Sequence, residues 1–153
     1  MNATDQSDEI YGMLSFVMLK VKDPAGSRKW YEGALGFRHI FSIPRPGGSP
    51  VLVHLRWTKY ADLLLQLQSP RDMDLAKGNG LTLNYSVTTG TIDELVERAR
   101  RYGASLVSEP KNQPWNARDF SLADPEGFVL TFTKGPIDEE LGMDNIVRRS
   151  SGR

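Results

Sequence analysis

The chain contains no cysteine, which excludes disulfide bridges, thiolate catalysis and zinc sites built on sulfur, and accords with a reducing compartment. It also lacks any surplus of charge. Nineteen basic residues are cancelled by nineteen acidic ones, so no positive field is available to attract nucleic acid or an anionic membrane, and neither is expected as a partner. No apolar run approaches the ~20 residues of a membrane span. The opening MNATDQSDEIYG is polar and acidic, unlike a secretory signal. There is no Gly-Xaa-Ser-Xaa-Gly elbow, no phosphate-binding glycine loop and no thiol nucleophile. A cytoplasmic location is the expectation.

A chain of 153 residues suits one domain with a substantial core. Residues 1–10 have no apolar periodicity and read as a disordered tail. The domain is expected over 11–134, in two units of about 11–68 and 80–134, and 135–153 as a C-terminal tail with a short helix at IDEEL. LSFVMLKVK alternates as a strand. Asp23-Pro24 then opens a helix through KWYEGAL, with Asp23 as N-cap, and Gly36 stops it. Strands are expected over 37–43, 51–57 and 61–68, with the breaker-rich PRPGGSP between the first two. The same order returns: a strand over 81–88, a helix IDELVERARRY stopped by Gly103, and a short strand over 105–108.

The stretch 112–133, NQPWNARDFSLADPEGFVLTFT, completes the second unit. Phe120 and Leu122 alternate before Asp124-Pro125-Glu126-Gly127, and Phe128, Leu130 and Phe132 alternate after it, which makes a β-hairpin around a type I turn. Trp115 lies in the preceding loop, where it either contacts a ligand or caps a hydrophobic edge. Val21 and Val87, Gly36 and Gly103, and Gln66 and Thr131 are separated by 66, 67 and 65 residues. So constant a period across three kinds of landmark favours internal duplication over chance similarity.

Alternation divides each strand into two faces. The wholly apolar sets, Val17, Leu19, Val21; Leu63, Leu65, Leu67; Leu83, Tyr85, Val87; and Phe128, Leu130, Phe132, are expected to form the core beneath the helices. The opposite faces carry Phe16, Met18, Lys20, Leu64, Gln66, Gln68, Thr82, Asn84, Ser86, Thr131 and Thr133. That mixture, with Lys20 as its one charge and no carboxylate, suits a pocket for a neutral organic molecule better than a half-wet sheet face. His39 and His54, the only two histidines, fall on different strands without a carboxylate at metal-ligand spacing. A structural role is favoured for both, and His54 is a weak catalytic alternative.

Together, VKDPAGSRKWYEGALGF at 21–37 and PWNARDFSLADPEGFVLTF at 114–132 resemble the vicinal oxygen chelate superfamily, which includes glyoxalase I, extradiol dioxygenases and bleomycin-resistance proteins. The resemblance covers about residues 12–134. It implies an α+β fold in which two tandem β-α-β-β-β units form a cup-shaped mixed sheet around a cavity, usually completed in a homodimer. Metal-dependent members place His, Gln or Glu at positions that should correspond to Phe16, Gln66, Thr82 and Thr131. Only Gln66 could ligate. Neither a metal nor another cofactor is therefore expected. The expected function is metal-free binding of a small, partly planar organic molecule, such as an antibiotic held by sequestration. Its contacts would be Phe16, Met18, Leu64, Gln66, Gln68, Thr82, Asn84, Trp115, Arg118 and Thr131. The alternative is an enzyme of the same fold, a lyase or isomerase using His54 or a metal-dependent glyoxalase or dioxygenase.

Overall fold

Two four-stranded mixed sheets carry the chain, each built in the same order. The computed structural model describes residues 8–72 and 77–152. The first half comprises β1 (Val17–Val21), α1 (Pro24–Trp30), β2 (Arg38–Ile43), β3 (Leu52–Thr58) and β4 (Ala61–Leu67). The second comprises β5 (Thr82–Ser86), α2 (Ile92–Tyr102), β6 (Leu106–Gln113), β7 (Ala117–Ala123) and β8 (Val129–Lys134), and α3 (Met143–Ser151) follows. The strand orders are β1-β4-β3-β2 and β5-β8-β7-β6. β1 runs parallel to β4 and β5 parallel to β8, and all other pairs are antiparallel. The α+β class and the tandem β-α-β-β-β organisation expected from the sequence are both present.

The two helices begin and end by local chemistry. Thr91 accepts from the Glu94 backbone N–H at 3.1 Å while the Glu94 carboxylate accepts from the Thr91 N–H at 3.3 Å, a reciprocal capping box that satisfies two otherwise orphan donors. At α1, Asp23 occupies the N-cap position but its side chain makes no capping bond. Ser49 does this instead: its Oγ accepts from Ala25 N–H at 2.9 Å and donates to Asp23 Oδ1 at 3.0 Å. The first helix spans the expected stretch from Pro24 to Gly36 but is less regular, widening over Tyr31–Leu35 into a π-helical turn. Gly36 (φ 84°) and Gly103 (φ 94°) close the two helical segments in the left-handed region, the conformation that glycine adopts without steric cost.

The helices cover the apolar faces as alternation predicts. Leu19, Val21, Leu63, Leu65, Leu83, Tyr85, Val87, Phe128, Leu130 and Phe132 are buried, Val17 packs against them partly buried, and Tyr31, Ala34, Leu35, Ile92, Leu95, Val96 and Ala99 meet them from the helices. Leu67 is half-buried. The two halves share this core and are fastened across it. Tyr31, fully buried, donates its hydroxyl to Asp124 Oδ2 at 2.7 Å. Trp57 Nε1 donates to the Ser86 carbonyl at 2.7 Å. Arg98 donates to the carbonyls of Glu32 and Gly33, and the Tyr102 ring lies so close to Gly33 that a Cβ there would stand 2.1 Å from it.

Three expectations are corrected. β6 reaches Gln113 rather than ending at Ser108, because register shifts between Leu106, Ser108 and Lys111 let an edge strand pass Pro110. The C-terminal helix is Met143–Ser151, not the IDEEL stretch, where the Asp138 carboxylate accepts from Glu140 N–H and holds a turn. Of the tail expected over 1–10, residues 1–7 lie outside the described ones. Asp8 pairs with Arg38, and the Glu9 carbonyl accepts from Arg56 Nη1 at 2.8 Å.

Leu130→Ala should cost about 2 to 5 kcal/mol by opening a cavity in a fully buried site, and Tyr31→Phe about 1 to 3 kcal/mol by removing a buried charge-assisted donor, both read by chemical denaturation. A pH dependence follows from Asp72. The Ser69 backbone N–H and hydroxyl, each at 2.9 Å, and Lys20 Nζ at 3.1 Å hold this carboxylate down from the ordinary 3.8 to about 2. Its stabilising contribution is complete above 3.8 and is lost as pH falls through about 2. Across that window the melting temperature of Asp72→Asn should fall less steeply than that of the unaltered chain.

Candidate functional site

Each sheet has a second face, turned away from the helices, and strand register lays it out in rows. On the first sheet, Met18 lies beside Leu64, Leu64 beside His54 and His54 beside Phe41. One row further along are Lys20, Gln66, Leu52 and Ile43. In the other direction Asp62 is paired with Arg56 and Arg56 with Arg38, and continuing the β1 register one residue back from Val17–Leu63 brings Phe16 to the level of Asp62. The corresponding face of the second sheet is built from short polar side chains. Asn84, Thr131 and Ser121 form one row, Thr82, Val129 and Ala123 the next, and Ser86, Thr133 and Asp119 the third. Thr131 Oγ1 stands 2.7 Å from Ser121 Oγ and 3.3 Å from Thr82 Oγ1, so hydroxyls run continuously across three strands.

A cavity of about 460 Å³ lies where the edges of β1 and β5 face each other, lined among others by Phe16, Tyr60, Asp62, Thr82, Asn84 and Ser86. A second, of about 490 Å³, adjoins it under the segment 11–15 and shares Ser15, Tyr60 and Asp62 with it. The structure therefore brings Phe16, Thr82 and Asn84 to one cavity, with Thr131 hydrogen-bonded to Thr82. It separates them from Gln66. That residue is four positions along β4 from Asp62, about 13 Å at ordinary strand rise. Gln68 accepts from Lys77 Nζ at 2.7 Å. Met18 is exposed and Leu64 buried in the middle row. Trp115 is 43% exposed at the β6–β7 turn. Arg118 shares the strand face of Phe120 and Leu122, on the helix side, where its guanidinium donates twice to Asp93 at 2.8 and 3.0 Å and once to Asn112. It is not brought together with the others.

The expectation that this face carries a single charge and no carboxylate is overturned by Asp62. Alternation along β4 places Asp62 with Leu64 and Gln66, and the β3–β4 register sets Arg56 directly opposite. The Arg56 guanidinium donates to both Asp62 oxygens, at 2.8 and 3.0 Å, His54 Nε2 lies 2.8 Å from Oδ2, and Tyr11 donates its hydroxyl to Oδ1 at 2.8 Å. All three of His54, Arg56 and Asp62 are buried. Burial pushes the Asp62 pKa up, but the hydrogen bonds from Arg56, His54 and Tyr11 outweigh it and hold the carboxyl below its usual range. The same geometry commits His54 Nε2 to Asp62. The signal for this cluster was in the sequence: an acid two residues before Leu64, opposite a His-Xaa-Arg on the neighbouring strand.

Metal ligation finds little support in this donor set. Among the described residues no three His, Cys, Asp or Glu side chains gather as a metal site. Asp62 is the carboxylate at the level of Phe16, and both its oxygens already accept from Arg56. Thr82 and Thr131 contribute neutral hydroxyls, poor ligands for a divalent transition ion. The residues present do not fit a bound ion of that kind.

Residues 14–132 match the family described as the glyoxalase/bleomycin resistance protein/dioxygenase superfamily. Among solved structures, TioX from Micromonospora sp. ML1 is similar at 24% identity and a TM-score of 0.63, over 78% of this chain and 96% of that one. A glyoxalase/bleomycin resistance protein/dioxygenase family enzyme from Burkholderia phytofirmans PsJN gives 24% identity and a TM-score of 0.66, over 80% and 98%. TnmS3, an antibiotic binding protein from Streptomyces sp. CB03234, gives 23% identity and a TM-score of 0.59, over 81% and 98%. No curated protein matches the chain. With the paired units, their parallel β1–β4 and β5–β8 contacts and the match over residues 14–132, the chain belongs to the glyoxalase/bleomycin resistance protein/dioxygenase superfamily.

Proposed function

We propose that this protein binds a small, partly planar organic molecule without a metal ion or cofactor, and that it sequesters an antibiotic or a similar compound in the cytoplasm. The observation that carries this reading is the pairing of unlike walls at one cavity. Phe16 offers an exposed aromatic ring, and the wall opposite offers the hydroxyls and amide of Thr82, Asn84 and Ser86. A flat apolar body with oxygen or nitrogen at its edge satisfies both. Hydroxyls act as donor or acceptor by rotation, so such a wall accommodates varied polar substituents. The antibiotic-binding TnmS3 and the resistance proteins of the superfamily support a ligand of this kind.

A homodimer belongs to the same proposal. Leu14, Phe16, Met18 and Ile43 expose apolar surface outside the core, and a second copy would cover such surface. Gel filtration with light scattering measures this directly.

The test is a titration of planar polycyclic antibiotics followed by tryptophan fluorescence, in the presence of EDTA. Saturable binding unaffected by EDTA, with the compound recovered unchanged, is expected. Phe16→Ala should weaken that binding roughly 10-fold or more while leaving the melting temperature nearly unchanged, since a half-exposed ring adds stacking but little core. Conversion of the compound, abolished by EDTA, would replace the binding reading with metal-dependent catalysis.

A further inference from the structure

Tyr11 is bound by this protein as a ligand would be. Between Asp8 and Phe16 only Tyr11 and Met13 are partly buried, and Leu14 is fully exposed. The phenol of Tyr11 donates to Asp62 Oδ1 at 2.8 Å and accepts from the Tyr60 backbone N–H at 2.6 Å. Its ring lies 4.3 Å from the Arg56 guanidinium carbon and 4.9 Å from the Tyr60 ring. An acceptor for the hydroxyl proton, a donor to the hydroxyl oxygen, a cation on the ring face and a second aromatic wall constitute complete recognition of a phenol. All four come from β3, β4 and the turn between them, and none requires the phenol to be joined to the chain.

The segment carrying Tyr11 is otherwise lightly held. Asp8 pairs with Arg38, Glu9 with Lys59 at 3.6 Å, and the Glu9 carbonyl with Arg56, all at one end. Beyond Tyr11, Gly12 has open space around it. Tyr11 itself lines the cavity under this segment, which shares Ser15, Tyr60 and Asp62 with the cavity holding Phe16 and Thr82. Withdrawing Tyr11 would join the two spaces and present the Arg56–Asp62 corner to whatever occupies them.

We infer that the corner formed by Arg56, Tyr60 and Asp62 is a phenol-recognition site, kept closed by Tyr11 of the chain's own N-terminal strap, and that a phenolic ligand of the cavity displaces Tyr11 to reach it. This builds on the reading of the cavity as a small-molecule site and narrows its ligand class. Asp62 is a carboxylate, so the group recognised is a neutral phenol with its proton in place; a phenolate or carboxylate would face like charge. The tethered Tyr11 competes at an effective concentration of roughly millimolar. Only a ligand that also contacts the walls of the larger cavity outcompetes it at low concentration.

The test uses p-cresol, the side chain of tyrosine as a free molecule, and 4-methylanisole, which has the same shape but no hydroxyl proton. In the full chain carrying Tyr11→Ala, calorimetric titration should show one p-cresol site, with 4-methylanisole bound roughly 10-fold or more weakly because a hydrogen bond to a charged acceptor is missing. Equal affinities, or no p-cresol binding by the folded variant, would overturn the inference. A second measurement does not depend on the variant's folding. In the unaltered chain, millimolar p-cresol should move the ring resonances of Tyr11, which lies against the Arg56 guanidinium and the Tyr60 ring, to those of a solvent-exposed tyrosine, and 4-methylanisole should not; unchanged Tyr11 resonances refute displacement. Neither probe is a polycyclic antibiotic, so failure here leaves the EDTA-resistant titration standing, and failure there leaves the phenol site standing.

Discussion

One buried hydrogen bond, from the Tyr31 hydroxyl to the Asp124 carboxylate, holds the relation between the two halves on which the cavity depends. Asp124 is 5% exposed, yet four donors converge on it or through its turn: Tyr31, the Glu126 and Phe128 backbone N–H groups at 2.9 Å each, and Gly127 N–H to its carbonyl at 3.0 Å. Burial pushes its pKa up against those bonds. A carboxylate in that position is costly unless every lone pair is used. The turn that joins β7 to β8 is therefore shaped by the same side chain that receives the first helix. Local geometry of one hairpin and global placement of the other half cannot be separated.

The two sheets share one topology and have very different free faces. The first bears large apolar side chains and, at one end, a buried group of Arg56, Asp62 and His54. The second bears hydroxyls linked edge to edge through Ser121, Thr131 and Thr82. Core positions in both halves remain aliphatic or aromatic, as packing demands. The two halves differ most on the side the helices do not cover, where core packing does not constrain the choice of residue.

Much of the fold was legible because its signals are local. Asp124-Pro125-Glu126-Gly127 states its turn, Gly36 and Gly103 mark two helix ends at matching positions, and alternation separates Leu130 from Thr131 without any knowledge of the partner strand. The misreadings share a different cause. Asp62 falls inside the strand expected over 61–68, on the face of Leu64 and Gln66 where no carboxylate is expected, and the pairing with β3 identifies it as the acceptor for Arg56. Gln66 appeared equivalent to Thr131 by period. The parallel register of β1 and β4 instead places Asp62, not Gln66, level with Phe16. Arg118 required the position of Asp93, one helix away. Long-range register and side-chain pairing are what a single sequence encodes least directly.

β1 and β5 end their respective sheets, and among the described residues each pairs only inward, with β4 and β8. The boundary between the sheets is thus the one line through the strand framework that no backbone ladder crosses. A small rotation about the buried contacts below it widens or narrows the slot without breaking a strand hydrogen bond. Along the seam where Phe16, Thr82 and Asn84 line one cavity, spacing is therefore set by side-chain contacts, among them Trp57 Nε1 to the Ser86 carbonyl, rather than by a backbone ladder.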